Sequence, residues 1–196
     1  MVSPQTKKPN DPYVNQTKER RDVIVSLFAG VFALAYILLQ LRHPVLHQQF
    51  PSDLTLLLPE VLGSDKGVPI EVMSGGVLSL FIAATVVRCA IVAAIAVLCV
   101  LFSLSYLKGE FFTVKTARRV MAISWLVAMY PASSFLQHMG ENWVASSLNL
   151  STWYQRDHAD FNEHLGIWFV LMIIISTLGV MLFRAARMQE DQEGLI

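Results

Sequence analysis

Residues 75–107 read Gly-Gly-Val-Leu-Ser-Leu-Phe-Ile-Ala-Ala-Thr-Val-Val-Arg-Cys-Ala-Ile-Val-Ala-Ala-Ile-Ala-Val-Leu-Cys-Val-Leu-Phe-Ser-Leu-Ser-Tyr-Leu, with Arg88 the single charge. A helix of this length rises about 50 Å, whereas a bilayer core of about 30 Å needs about 20 residues. Counting back from Leu107, the crossing is expected over about 86–107. Residues 75–87 then form a helical extension beyond the lipid, apolar almost all round. Such an extension needs cover from the neighbouring loops or from another protein.

Three further runs have the length to cross. One covers about 23–41, follows Arg20, Arg21 and Asp22, and ends at Arg42, His43 and Pro44, which are expected to stop the helix. It is long and lacks a small-x-small cleavage site, so a span fits it better than a signal peptide. The others cover about 120–138 and 165–183. The expected organisation is a polar tail over 1–22, a transmembrane domain over 23–184 with loops 42–74 and 139–164, and an acidic tail over 185–196. The composition agrees: 54% of the 196 residues are hydrophobic and only 15% charged, against about a quarter in soluble domains. Mean hydropathy is +0.49. This composition argues against a cytosolic enzyme, a DNA-binding domain and a disordered tail.

Lys and Arg total 15, as do Asp and Glu, but their placement is uneven. Eleven bases (Lys7, Lys8, Lys18, Arg20, Arg21, Lys108, Lys115, Arg118, Arg119, Arg184 and Arg187) flank the spans on one side, and Arg42, Lys66 and Arg156 lie on the other. Cytoplasmic segments retain Lys and Arg. Both termini are therefore expected in the cytoplasm of a bacterial cell, with the chain in its plasma membrane. The fold class expected is an all-α membrane protein, a four-transmembrane-helix up-down bundle. The outer face is acidic and holds or borders all five histidines.

Arg88 has two readings. It snorkels at the outer interface, or it is a buried charge on a proton or anion path; no Asp or Glu lies inside the four expected spans to pair with it. Ala83, Ala90 and Ala94, and likewise Ala29 and Ala33, fall at helical spacing, and small residues so placed mark packing faces. No helix face is expected to be lined by polar residues, which argues against a pore. No internal repeat suggests a transporter of inverted halves.

Cys89 and Cys99 lie ten residues apart on one helix, about 15 Å, too far for a disulfide, and no Cys-x-x-Cys is present. Haem ligation needs histidines facing each other within a bundle, and no histidine is central to a span. The densest polar cluster is Arg156-Asp-His-Ala-Asp-Phe-Asn-Glu-His164. If the last helix begins early, Asp160 and His164 share a face, and with His158 they suit zinc or copper. The same residues equally suit a helix start capped by Asp160 or Asn162. Trp125, Trp143, Trp153, Tyr154 and Trp168 are aromatics of the headgroup region. No nucleotide, hydrolase or metalloprotease motif is present, and no cofactor is expected.

The segment Leu107-Lys-Gly-Glu-Phe-Phe-Thr-Val-Lys-Thr-Ala-Arg-Arg-Val-Met-Ala-Ile-Ser-Trp125 resembles the "Gly-x-x-Phe, spacer, Arg-x-Leu-x-x-Ile-Gly" pattern of the bacterial DUF2975 membrane proteins, with Val120 and Ser124 in place of leucine and glycine. The ending Met188-Gln-Glu-Asp-Gln-Glu-Gly-Leu-Ile196 is similar to the acidic terminus of that family. The resemblance implies a multi-pass membrane protein with no assigned catalytic residue. Read physically, Gly109 caps the second helix, Thr113 caps a short helix, Phe111 and Phe112 sit in the interface, and Arg118 and Arg119 reach phosphates.

The function expected is a non-catalytic accessory or assembly subunit of a larger membrane complex, respiratory or transport, partnered by lipid and other integral subunits. A membrane sensor or anti-regulator and a small transporter or channel centred on Arg88 are the alternatives.

Overall fold

The computed structural model describes residues 16–52, 54, 67–107, 112–155 and 159–193. In order they form α1 (Gln16–Leu46), β1 (Gln49–Phe50), β2 (Val68–Pro69), a 3-10 turn (Ile70–Val72), α2 (Gly75–Leu107), α3 (Val114–Ser147), α4 (Ser151–Gln155) and α5 (Ala159–Glu193). Gly75–Ser105, Val114–Ser147 and Leu165–Gln192 are each long and apolar enough to cross a membrane. The apolar stretch Gly30–Leu46 of α1 is shorter. Large apolar side chains such as Phe28, Phe32, Trp125, Phe135, Phe169 and Ile173 are exposed along these helices. Water does not tolerate so extensive an apolar surface, and the chain is a membrane-embedded, multi-pass protein.

α1 packs on α2, α2 on α3 and α3 on α5. Each pair runs antiparallel: Gly30 lies by Val100, Gly140 by Phe81 and Gly179 by Met121. Across the last pair, Ser124 Oγ donates to the Met172 carbonyl at 2.9 Å. Thr113 caps α3, its Oγ1 accepting from the Thr116 amide at 3.2 Å; the helix so started is 34 residues long rather than short. At its other end Asn149 takes φ 54°, and the Leu150 amide reaches back to the Ala145 carbonyl at 2.9 Å. That six-to-one bond across a left-handed residue is a Schellman stop.

The buried face of α2 is Val77, Phe81, Ala84 and Ile91, spaced four, three and seven. The alanine face expected from sequence is a different one, for Ala90 is exposed. Larger side chains fill the contact instead, with Gly140 of α3 providing the close approach. A Cβ on Gly140 would stand 2.9 Å from Phe81 Cε2. Gly140→Ala is expected to lower stability by about 1–3 kcal/mol through overpacking, read by thermal unfolding in detergent. An unchanged midpoint would mean the Phe81 ring yields freely.

The main buried cluster sits at one end of the molecule, in a cap over the N-terminus of α2. Phe50, Leu54 and Val68 pack there with Val77, Phe81, Val144, Ala145, Leu150 and Trp153. β1 and β2 pair antiparallel, Gln49 opposite Pro69 and Phe50 opposite Val68. Gly67 must lack a side chain, because a Cβ would meet the Phe50 carbonyl oxygen at 2.6 Å. The cap covers one face of the first turns of α2, through Val77 and Phe81, while Ile82 and Val86 stay exposed. Two expectations on extent are corrected. α1 passes through Arg42, His43 and Pro44 to Leu46, since a proline one turn from a helix end removes little of the hydrogen-bond ladder. The expected loop 139–164 is helical over most of its length, because α3 continues to Ser147 and α5 starts at Ala159.

Candidate functional site

Arg88 follows Phe81 by seven residues on α2, on the stripe that meets α3. Its Nη2 donates to Gln137 Oε1 at 2.8 Å, and Nε to Ser133 Oγ at 3.4 Å. Gln137 Nε2 donates in turn to Glu141 Oε1 at 3.0 Å and to the Pro51 carbonyl at 3.0 Å. Ser52 Oγ donates to the same Glu141 oxygen at 2.8 Å, while His138 Nδ1 lies 3.6 Å from Oε2. Glu141 is only 3% exposed. Gln137 thus presents its carbonyl to a cation and its amide to an anion, a polarity that both neighbours enforce. The buried carboxylate and the guanidinium are joined through one amide rather than directly.

A second branch leaves Arg88 toward α1 and α5. Its guanidinium lies 5.9 Å from the centre of the Tyr130 ring. That ring stacks on Trp168 at 4.3 Å, and its hydroxyl shares a 2.9 Å hydrogen bond with that of Tyr36. Gln40 Nε2 donates to Tyr36 Oη at 3.2 Å. One cluster therefore joins all four long helices and the segment after α1.

Sequence reasoning found Arg88 and missed Tyr36, Gln40, Tyr130, Ser133, Gln137 and Glu141. The signal was the spacing Ser133, Gln137, Glu141, four residues each, which puts three polar groups on one face of α3. The expectation that no helix face is polar fails here. The acid that Arg88 reaches through Gln137 lies just beyond the expected span 120–138, because α3 continues past His138 and carries Glu141 on the same face.

The other expected site residues lie elsewhere. Arg119 does not reach outward: Nη1 donates to the Leu101 carbonyl at 2.9 Å and to Ser105 Oγ, fastening α3 to the last turns of α2. Arg118 and Phe112 are exposed at this end, and Phe111 lies outside the described residues. Trp143 is exposed in the cap. Trp153 is corrected from a lipid-facing residue to a core one: it is 2% exposed, with Nε1 donating to Asn142 Oδ1 at 2.7 Å. Of the weak metal candidates, His158 lies outside the described residues, and Asp160 and His164 are described only as helical backbone. Among the described residues no group of three or more His, Cys, Asp or Glu side chains gathers. Cys89 and Cys99 are free thiols on the unbroken α2.

Comparison with protein-family models, curated proteins and solved structures returned no match to this chain.

Proposed function

We propose that this chain is a non-catalytic accessory or assembly subunit of a larger membrane complex. The observation that carries the reading is α1. It packs lengthwise on α2 and leaves Phe28, Val31, Phe32, Leu34, Leu38 and Leu39 exposed on its other faces, a surface on which another integral subunit can pack. The polar side chains within the helices support the same reading, since the Arg88 cluster is engaged in joining helices. In this reading α1 is a fourth span, the helices form an up-down bundle, and both termini lie in the cytoplasm of a bacterium, as the distribution of Lys and Arg favours.

A sensor or anti-regulator is the second reading. It is favoured by the chain Ser52–Glu141–Gln137–Arg88, which runs from the cap into the helices. Mild-detergent purification of tagged protein from its own membrane, with mass spectrometry of what co-purifies, is expected to yield other integral subunits at fixed ratio after a salt wash. A clean monomer or homo-oligomer would sink the accessory-subunit reading.

A further inference from the structure

The end of the molecule opposite the cap carries a group of cations that the Arg88 cluster does not involve. Across α3 and α5, Met121 lies by Gly179, Ser124 bonds Met172 and Tyr130 stacks on Trp168. This register sets residues 115–118 level with residues 181–187. Lys115 and Arg118 on α3, and Arg184 and Arg187 on α5, are all exposed there. Ala117 and Ala186 between them are buried, so the two helices remain packed at this depth.

Three observations give this surface its chemistry. Among the described residues, the one acid–base contact within 4.0 Å is His138 with Glu141 at the other end, so no described carboxylate pairs with any of the four cations. Among the described residues the acids nearest in sequence are Glu190 and Asp191, the next turn beyond Arg187 on α5, and neither is within 4.0 Å of a cation. Toward the middle of the helices the exposed side chains become apolar at once, with Trp125, Leu178 and Met181. Beside the cations, Phe112 is exposed and the Arg187 guanidinium lies over the Phe183 ring at 4.6 Å. Uncompensated positive charge directly bordering an acyl-chain surface matches an anionic phospholipid, whose phosphate and tails occupy those two zones together.

We propose that Lys115, Arg118, Arg184 and Arg187 form a collar that binds anionic phospholipid headgroups in the leaflet where α3 begins and α5 ends. Arg119 is not part of it, being fastened to α2. The proposal needs only that the helices lie in a bilayer, and it stands or falls separately from the accessory-subunit reading.

The test is native mass spectrometry of the full-length protein in mild detergent, titrated with phosphatidylglycerol or phosphatidylcholine. The wild type is expected to bind phosphatidylglycerol at least tenfold more tightly. A near-surface cation contributes about fivefold in binding, so K115Q/R118Q/R184Q/R187Q should lose the preference. Arg42→Gln, on an exposed residue of α1 at the cap end, should keep it. The charge-conserving K115R/R118K/R184K/R187K variant should also keep it. If the fourfold glutamine variant fails to fold, R118Q/R187Q provides the same reading with a smaller loss. The proposal is overturned if a folded glutamine variant retains the wild-type preference, if the wild type binds both lipids equally, or if millimolar inorganic phosphate displaces the lipid.

Discussion

Trp153→Ala is expected to destabilise the protein by about 3–5 kcal/mol, the range for removing a fully buried large aromatic. The indole is enclosed in the cap core with Phe50, Leu54, Val68, Phe81 and Val144, its ring centre 6.0 Å from that of His138. Removing it opens a cavity where two short strands, the end of α3 and α4 all meet. Two-residue strands cannot persist without that core, so the loss should concentrate in the cap. Hydrogen exchange at the amides of 49–50, 68 and 70–73 should rise, while exchange in the middle of α2 and α3 stays slow. Trp153→Phe keeps most of the apolar volume and loses the bond to Asn142, so about 1 kcal/mol is expected from the hydrogen bond. Equal exchange in wild type and Trp153→Ala would show that the cap does not depend on this residue.

The second large effect is expected at Arg88. A double-mutant cycle of Arg88→Met with Gln137→Leu should give a coupling of about 1.5–3 kcal/mol, the range for a hydrogen bond to a charged group. Arg88→Met alone also deprives Glu141 of the cation at the far end of the Gln137 amide, leaving the buried carboxylate to Gln137, Ser52 and His138. Adding Glu141→Gln to Arg88→Met should therefore recover part of the lost stability, although the same change in the wild-type background should reduce it. Thermal unfolding of the variants in one detergent measures all these terms. Simple additivity of Arg88→Met and Gln137→Leu would refute the relay.

Much of the architecture was legible because lipid makes simple demands. Long apolar runs bounded by charge identified 75–107, 120–138 and 165–183, and the excess length of the first announced a stretch needing cover. Helix ends were harder. Arg42, His43 and Pro44 look like a stop, yet nothing in the bilayer requires a helix to end where its apolar run does, and α1, α3 and α5 continue beyond theirs. An apolar run that ends at His138 leaves Glu141 in a loop, whereas the continuation of α3 to Ser147 puts it on the Ser133–Gln137 face and completes the Arg88 site. Tyr36 and Tyr130 were invisible for another reason: their partnership crosses 94 positions and follows from how α1 and α5 lie against the pair between them. Thr113, whose capping role is local, was read correctly. Trp153 shows the limit of residue type as a guide, since a tryptophan suits a headgroup region and a packed cap equally well.

The relay from Arg88 to Glu141 bears on how the polypeptide enters its bilayer. α3 is the least apolar of the three candidate spans, and it brings an amide and a carboxylate that lipid would reject. α2, the most apolar, brings the guanidinium. Either alone presents an uncompensated charge to the hydrocarbon boundary; side by side, with Gln137 between, they present none. Partition of α2 and α3 together, rather than of each helix in turn, leaves neither charge facing lipid alone. On this view Arg88 first serves as a chaperone in cis for its own neighbour.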